Sequence, residues 1–311
     1  MRKRGGLLWL FTCLMVAMAA GQNLVWKDTA ILMPLRNPCH PGIPMVQYRF
    51  TQELEYAFTF SDVMLVNWKQ GNGVSQVSLL QQVRYRSQLH NARNLSISTL
   101  FIHSLGIQFF FDSISRFQPD ENNLDTRIEI NLRKNFTFTF HSNLSTRLFN
   151  AYDYSSDPTG ALLKTLNSSF LTPLLCTFSA GFGLNLPRLG SISVGLSAAK
   201  LTLVSNRAIY SEQAIDAFYG VPKDRSHLFE YGLTMHLLVD KDFFKRIHWN
   251  CDLLIFKNYR KPVDLIIRNL VGVTINKFLK TSIQTRLYYE KEVSKSIQIE
   301  NMVSVGFYFN L

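Results

Sequence analysis

Apolar and polar side chains alternate one for one along most of this chain, and that alternation limits the fold more than any other feature. In the final run Ile297, Ile299, Val303, Val305, Phe307, Phe309 and Leu311 alternate with Gln298, Glu300, Ser304, Gly306 and Asn310. Successive side chains of a strand point to opposite faces, so one face of this segment is apolar and the other polar. The same period recurs in Leu279–Tyr289, Val263–Ile275, Ile247–Ile255, Phe229–Val239, Ile192–Leu203, Phe170–Leu184, Phe136–Phe140, Ile128–Leu132, Leu95–Phe109, Val74–Tyr85 and Phe50–Asn67. These are about twelve strands. Many run ~10 to 14 residues, longer than the usual soluble strand of about 5 to 6 and matched to a tilted bilayer crossing. With 47% hydrophobic and 18% charged residues, the composition excludes a disordered chain. No uncharged apolar run of ~20 residues occurs past the N-terminus, which excludes a helical membrane protein.

The spacers separate a membrane barrel from a soluble sandwich. Counted from Phe50, the odd connections are short: His90–Asn94, Arg133–Asn135, Asn185–Leu189, Asp240–Arg246 and Asn276–Phe278. Three even ones are long, at Asp112–Leu124, Asn150–Ser169 and Ser205–Ser226, and three are brief, at Asn67–Gly73, Asn258–Pro262 and Lys291–Ser296. Short turns on one side and long loops on the other are the asymmetry of an outer-membrane barrel in a Gram-negative envelope. An even strand number closes the sheet and leaves no edge unpaired in lipid. The expected fold is an all-β transmembrane antiparallel barrel of about 12 strands, over residues 50–311, in the outer membrane. Outer-membrane lipid surrounds it. The aromatic-rich ending Phe307-Tyr308-Phe309-Asn310-Leu311 is the type of last strand that barrel-insertion machinery reads during assembly.

Residues 1–20 read as a cleaved signal peptide: basic Arg2, Lys3 and Arg4, an apolar Leu7–Val16, and small residues at Ala17, Ala19 and Ala20. A lipidated Cys13 is the weaker alternative, because Phe11 stands where a small residue is needed. Loss of three basic residues lowers the formal charge from +11 to +8. Residues 21–49, with Pro34, Pro38, Pro41 and Pro44, read as a short periplasmic extension, since proline removes ladder donors. Cys39, Cys176 and Cys251 give no disulfide framework and no metal spacing.

Several segments resemble, in order, those of an uncharacterised outer-membrane β-barrel family of the Bacteroides group, a domain of unknown function. The Asn67-Trp68-Lys69-Gln70-Gly71-Asn72-Gly73 stretch resembles its Asn-Trp…Gly-Gly loop, with Asn72 splitting the double glycine. Thr146–Tyr154 is similar to its Thr-Gln-Phe…Gly-Tyr-Asp-Tyr segment, with Arg147 in place of Gln. Ser169–Pro173 resembles a Ser-Asn-Phe-Leu-Ala-Pro strand start, and Lys200–Val204 with Phe218–Val221 a Lys-x-Thr-x-Val…Gly-Val pair. The resemblance spans Glu53–Phe256. It implies fold and location and transfers no catalytic residue.

Parity assigns an inner face to the candidate lumen-lining residues Arg84, Arg86, Arg127, Glu129, His141, Arg147, Glu230, His236, Asp252, Asp264, Arg268, Arg286 and Glu290, together with Gln82, Asn143 and Lys280. The charges nearly balance, so a salt-bridged plug is expected ahead of an ion-selective pore. A rim lipase needs a Ser–His pair. Adjacent His141 and Ser142 point to opposite faces, and Ser145 lies ~13 Å along the strand from His141, so no catalytic residue is assigned. Gly181 and Gly183 sit inside a strand and mark a bend or tight packing. No metal or cofactor motif occurs, and no helical basic stripe for nucleic acid. The basic odd turns, with Arg93, Arg133, Lys134, Arg188 and Lys245, suit anionic headgroups. Trp68 and Trp249 suit an interfacial belt, and so do the loop aromatics Phe149, Tyr152, Tyr154, Tyr210, Phe218 and Tyr219. The expected role is non-enzymatic, in passage of a small or apolar solute or in envelope assembly. The alternative is a structural barrel whose loops or extension hold a protein partner.

Overall fold

The computed structural model describes residues 48–66, 76–91, 94–109, 116–156, 162–187, 189–243, 246–260, 262–289, 291 and 296–310. The expected signal peptide, nearly all of the extension, the Asn67–Gly73 loop with Asn67, Trp68, Gly71 and Gly73, and Glu290 lie outside the described residues.

The first five strands are β1 (Tyr48–Val66), β2 (Gln76–Asn91), β3 (Leu95–Phe109), β4 (Arg116–Arg133) and β5 (Phe136–Thr146). A hairpin of β6 (Ala151–Ser156) and β7 (Leu162–Ser168) follows, then β8 (Leu174–Leu186) and β9 (Gly190–Leu203). Helix α1 (Ala208–Gln213) and the ribbon β10 (Ala217–Phe218) with β11 (Val221–Pro222) lead into β12 (His227–Phe243). The chain finishes with β13 (Ile247–Asn258), β14 (Val263–Thr274), β15 (Leu279–Tyr289) and β16 (Gln298–Asn310). Twelve of these close on themselves, β16 pairing back onto β1, in the order β1-β16-β15-β14-β13-β12-β9-β8-β5-β4-β3-β2. All neighbours are antiparallel, so every pairing edge is used.

The barrel is inside-out relative to a soluble protein. Phe60, Leu196, Ile283 and Phe307 are 57%, 57%, 58% and 54% exposed on the exterior, while Thr137, Gln298 and Ser61 are 0%, 0% and 1% exposed inside. On β12 the outward positions run Phe229, Tyr231, Leu233, Met235 and Leu237 to Val239, the last covered by its neighbours at 8% exposure. Allowing for strand tilt, this is an apolar band about 25 Å tall, the height of a bilayer's hydrocarbon layer.

Register irregularities aim the strands. Gly181 pairs with Gly195 while Ala180 pairs with Ser197, so Leu196 bulges outward at a point where both partners lack a side chain. A Cβ on Gly181 would sit 1.9 Å from the Val194 carbonyl oxygen, which makes the close approach of β8 and β9 glycine-dependent. Gly190, at the tight turn between the same strands, has φ +151° and faces the Leu238 carbonyl oxygen at 1.9 Å from where a Cβ would lie. Only glycine fits there.

Three features depart from the sequence reading. Asp112–Leu124, expected as an external loop, is strand from Arg116 onward. Its residues Asp120 to Asn123 are all polar, so the stretch carries no apolar–polar alternation to mark it as strand. Pro119 is tolerated because the β3–β4 register shifts there, between Leu105 and Ile107. Next, the strand expected to begin at Phe170 begins at Leu174: Ser169 and Thr172 form a bridge of their own, and Leu171 has φ 53°. Finally, the two longest loops are not featureless but hold β6–β7, α1 and β10–β11.

Candidate functional site

Inward residues of β4, β5, β12, β13 and β14 meet in one ionic network across the lumen. Asp125 Oδ2 lies 2.6 Å from His141 Nε2 and accepts from Asn143 Nδ2 at 3.2 Å. The His141 ring stacks on that of His236, centroids 5.3 Å apart and 10° from parallel. Arg127 Nη2 is 2.7 Å from His236 Nδ1, and its Nη1 donates to Ser191 Oγ at 3.2 Å. A guanidinium can only donate, so His236 Nδ1 accepts, the ring is neutral, and its Nε2–H is donated to Asp252 Oδ1 at 2.5 Å. Arg268 Nη1 then donates to Asp252 Oδ2 at 3.1 Å. Asp252 thus holds a neutral imidazole on one oxygen and a cation on the other.

A second strut crosses from β15 to β4. Arg286 Nη1 is 3.3 Å from Glu300 of adjacent β16 and 3.8 Å from Glu121 of β4. Strands β16, β1, β2 and β3 lie between β15 and β4, so this contact spans the bore. Arg147, just past β5, adds its charge to the field at Glu121. Toward the wall, Lys200 reaches Asp264 at 3.1 Å, Lys280 reaches Glu55 at 2.9 Å, Arg84 reaches Glu55 at 3.9 Å, Arg127 reaches Glu129 at 3.8 Å, and Asn258 donates to Glu230 at 2.9 Å. Arg86 pairs in register with Glu53.

The network is unevenly solvated. Side chains of Glu121 and Arg268 keep 36% and 32% of their surface exposed and Arg286 24%, whereas Arg127, His236 and His141 keep only 12%, 12% and 10%. Solvent therefore reaches the Glu121 and Arg268 end of the network and largely leaves out the Arg127–His236 contact.

Of the candidate lining residues, the structure joins His141, His236, Arg127, Asp252 and Arg268 in one cluster and Arg286 in the opposite strut. Glu129 joins that cluster through Arg127; Arg84, Glu230 and Asp264 pair with Glu55, Asn258 and Lys200, and Arg86 stands opposite Glu53 in register. Sequence reasoning missed Asp125, Glu121, Glu300, Glu55, Lys200 and Ser191. Asp125 shares the parity of Arg127 and could have been found. Glu121 was hidden by reading its segment as a loop.

Above the bore, the long loops fold into a lobe with its own core of Leu166, Val204, Ile209, Tyr210, Phe218 and Val221, ringed by Tyr152, Ile215, Tyr219 and Leu228. Tyr152, Tyr210, Phe218 and Tyr219, expected in an interfacial girdle, pack here instead: aromatic rings on loops above the hydrocarbon bury against one another when lipid cannot cover them. Glu212 accepts from the Leu166 N–H at 2.8 Å, Gln213 donates to the Leu166 carbonyl at 2.7 Å, and the Tyr210 hydroxyl donates to the Val221 carbonyl at 3.0 Å. Asp120 tethers the lobe to β4 by accepting from the Leu148 and Phe149 N–H groups at 2.7 and 2.5 Å. Tyr210→Phe strands the Val221 carbonyl and should weaken the lobe by about 1 kcal/mol. Limited proteolysis checks this: loop cleavage several-fold faster in the variant, with the barrel fragment intact.

A closed antiparallel sheet with an apolar exterior belt and an ionic interior defines an outer-membrane β-barrel. A family model described as "Protein of unknown function (DUF3078)" matches residues 60–152. No curated protein matches the chain. Among solved structures, the translocator domain of autotransporter NalP from Neisseria meningitidis is similar at 10% identity, over 82% of this chain and 88% of that one, TM-score 0.39. Salmonella typhi OmpF in complex with daunomycin is similar at 7% identity, over 83% and 97%, TM-score 0.35. The CymD monoaromatic hydrocarbon channel is similar at 8% identity, over 84% and 88%, TM-score 0.34.

Proposed function

We propose that this barrel passes small hydrophilic solutes through a lumen narrowed by its two struts, Arg127–His236 and Glu121–Arg286. The observation that carries the reading is a cross-bore ionic network whose Glu121 and Arg268 side chains stay partly exposed to solvent. A dry, well-packed plug would have no use for an arginine and a glutamate left about a third exposed, as Arg268 and Glu121 are, and an apolar solute would have to cross a field of paired charges with nothing to offset its desolvation of them. Balanced charge favours neutral solutes over either sign of ion. The role is read as non-catalytic, with His141 held by Asp125 and stacked on His236 as part of the strut.

Planar-bilayer recording and liposome swelling test this. Wild type should show small, infrequent conductance steps and slow uptake of small neutral sugars, and Arg127→Ala should raise both several-fold. Silence from wild type and variant alike would remove the reading. The folded external lobe favours a second reading, attachment of a protein partner, which predicts co-purification lost on replacing Asn150–Ser169 and Ser205–Ser226 with short linkers. We also place the source in the Bacteroides group, on the ordered segment resemblances and the Asn67–Gly73 loop.

A further inference from the structure

On the outer wall of the barrel, where β9 and β12 end, an open hollow of about 610 Å³ is lined by Leu203, Val204, Ser205, Arg207, Asp224, Arg225, Ser226 and His227. Its height follows from the exterior belt. Phe229, 47% exposed, and Tyr231, 63% exposed, are the top of the apolar band on β12. His227 is the next exterior position up that strand, and it pairs in register with Leu203 of β9. Arg225 and Arg207 lie just beyond the strand ends, so the hollow opens at the level of the outer headgroups with hydrocarbon-facing side chains directly beneath.

Its chemistry selects phosphate. Arg207 Nη2 donates to the Lys223 carbonyl at 3.1 Å, which fixes the guanidinium while leaving most of its five donors unused. The Arg225 side chain is 68% exposed and meets Asp224 only at 4.0 Å, too long to consume it. The Ser226 hydroxyl, 3.3 Å from His227 Nδ1, is a further donor of the kind a phosphate oxygen accepts, while the single O–H of Ser205 is already donated to the Phe170 carbonyl at 2.7 Å. Lys223, the nearest further cation, is held by Asp216 at 2.7 Å and stays out of the count. Two guanidiniums against one carboxylate leave a positive hollow, and planar guanidiniums bind phosphate in bidentate fashion.

We propose that this hollow binds the headgroup of an outer-leaflet lipid carrying a phosphate monoester, its chains lying along Leu201, Phe229 and Tyr231. The lipid, rather than free phosphate, is the ligand because the hollow faces outward over the apolar belt and not into the bore.

The test uses the full chain in phosphatidylcholine nanodiscs doped with phosphatidic acid, or with diacylglycerol as the phosphate-free control, followed by gentle extraction and native mass spectrometry. Wild type should retain phosphatidic acid about tenfold over diacylglycerol, with the preference falling as salt rises and lost in the pair Arg207→Gln with Arg225→Glu. Arg225→Glu alone guards against a lobe disturbed by loss of the Arg207–Lys223 contact, and should cut retention while heat-modifiable migration stays unchanged. Equal retention of the two lipids, a preference that survives both substitutions, or complete displacement by millimolar inorganic phosphate would each overturn the proposal, the last by making the hollow a free-phosphate site. Displacement of the lipid by an acidic peptide would likewise overturn it in favour of a protein ligand.

Discussion

Arginine at Met235 should destabilise the barrel by about 2–4 kcal/mol, whereas arginine at Phe229, six residues up the same exterior face, should cost about 0–1 kcal/mol. Met235 sits near the middle of the belt on β12 and pairs with Val194 of β9 and Ile255 of β13, so a guanidinium there finds only aliphatic neighbours and hydrocarbon. Phe229 is at the headgroup edge, where the same charge reaches water. Urea unfolding in lipid vesicles, read by the heat-modifiable gel shift, measures both. The gradient between the positions matters more than either value, because a face exposed to water would show none: a charge on an exposed surface is nearly free.

Asp252→Ala should be the most damaging change inside the bore. It leaves Arg268 without its carboxylate and His236 without an acceptor, at a cost of about 3 kcal/mol once partial access of water is allowed for. The pair Asp252→Ala with Arg268→Met should recover most of that loss, because removing both charges avoids an unpaired ion, and the double-mutant cycle isolates their coupling. If the single and double variants were equally destabilised, Asp252 would be acting through packing alone. The Arg127–His236 contact should also loosen in Asp252→Ala, since His236 keeps its ring orientation by donating to Asp252, so the variant should conduct more than wild type.

Much of the architecture is legible in the chain because the bilayer imposes period two wherever it touches the sheet. Phe229 to Met235, or Val303 to Phe307, can be assigned to faces from residue type alone. Outside the hydrocarbon that constraint lapses. The Gln118–Asn123 stretch carries no alternation although it is strand, and Tyr152, Tyr210 and Phe218 look like any loop aromatics until α1 and the β6–β7 hairpin fold them together. The lumen is legible by half. Parity places Arg127 and His236 on polar faces, but their contact depends on how the sheet closes: β5, β8 and β9 separate the two strands, and no local pattern encodes that spacing. The Arg286–Glu121 strut is more remote still. Its two ends lie far apart in the sequence, and one of them belongs to the segment that reads as a loop.

The central claim is that the apolar face of each strand meets hydrocarbon and the polar face meets a watery bore. Single cysteines placed in turn from Phe229 to Val239 in a cysteine-free background, spin-labelled and reconstituted in vesicles, test it residue by residue. Collision with lipid-soluble oxygen should peak at Phe229, Tyr231, Leu233, Met235 and Leu237, and collision with a water-soluble nickel chelate at the positions between them. Equal access of the nickel chelate to both sets, or oxygen access without the two-residue period, would contradict the account.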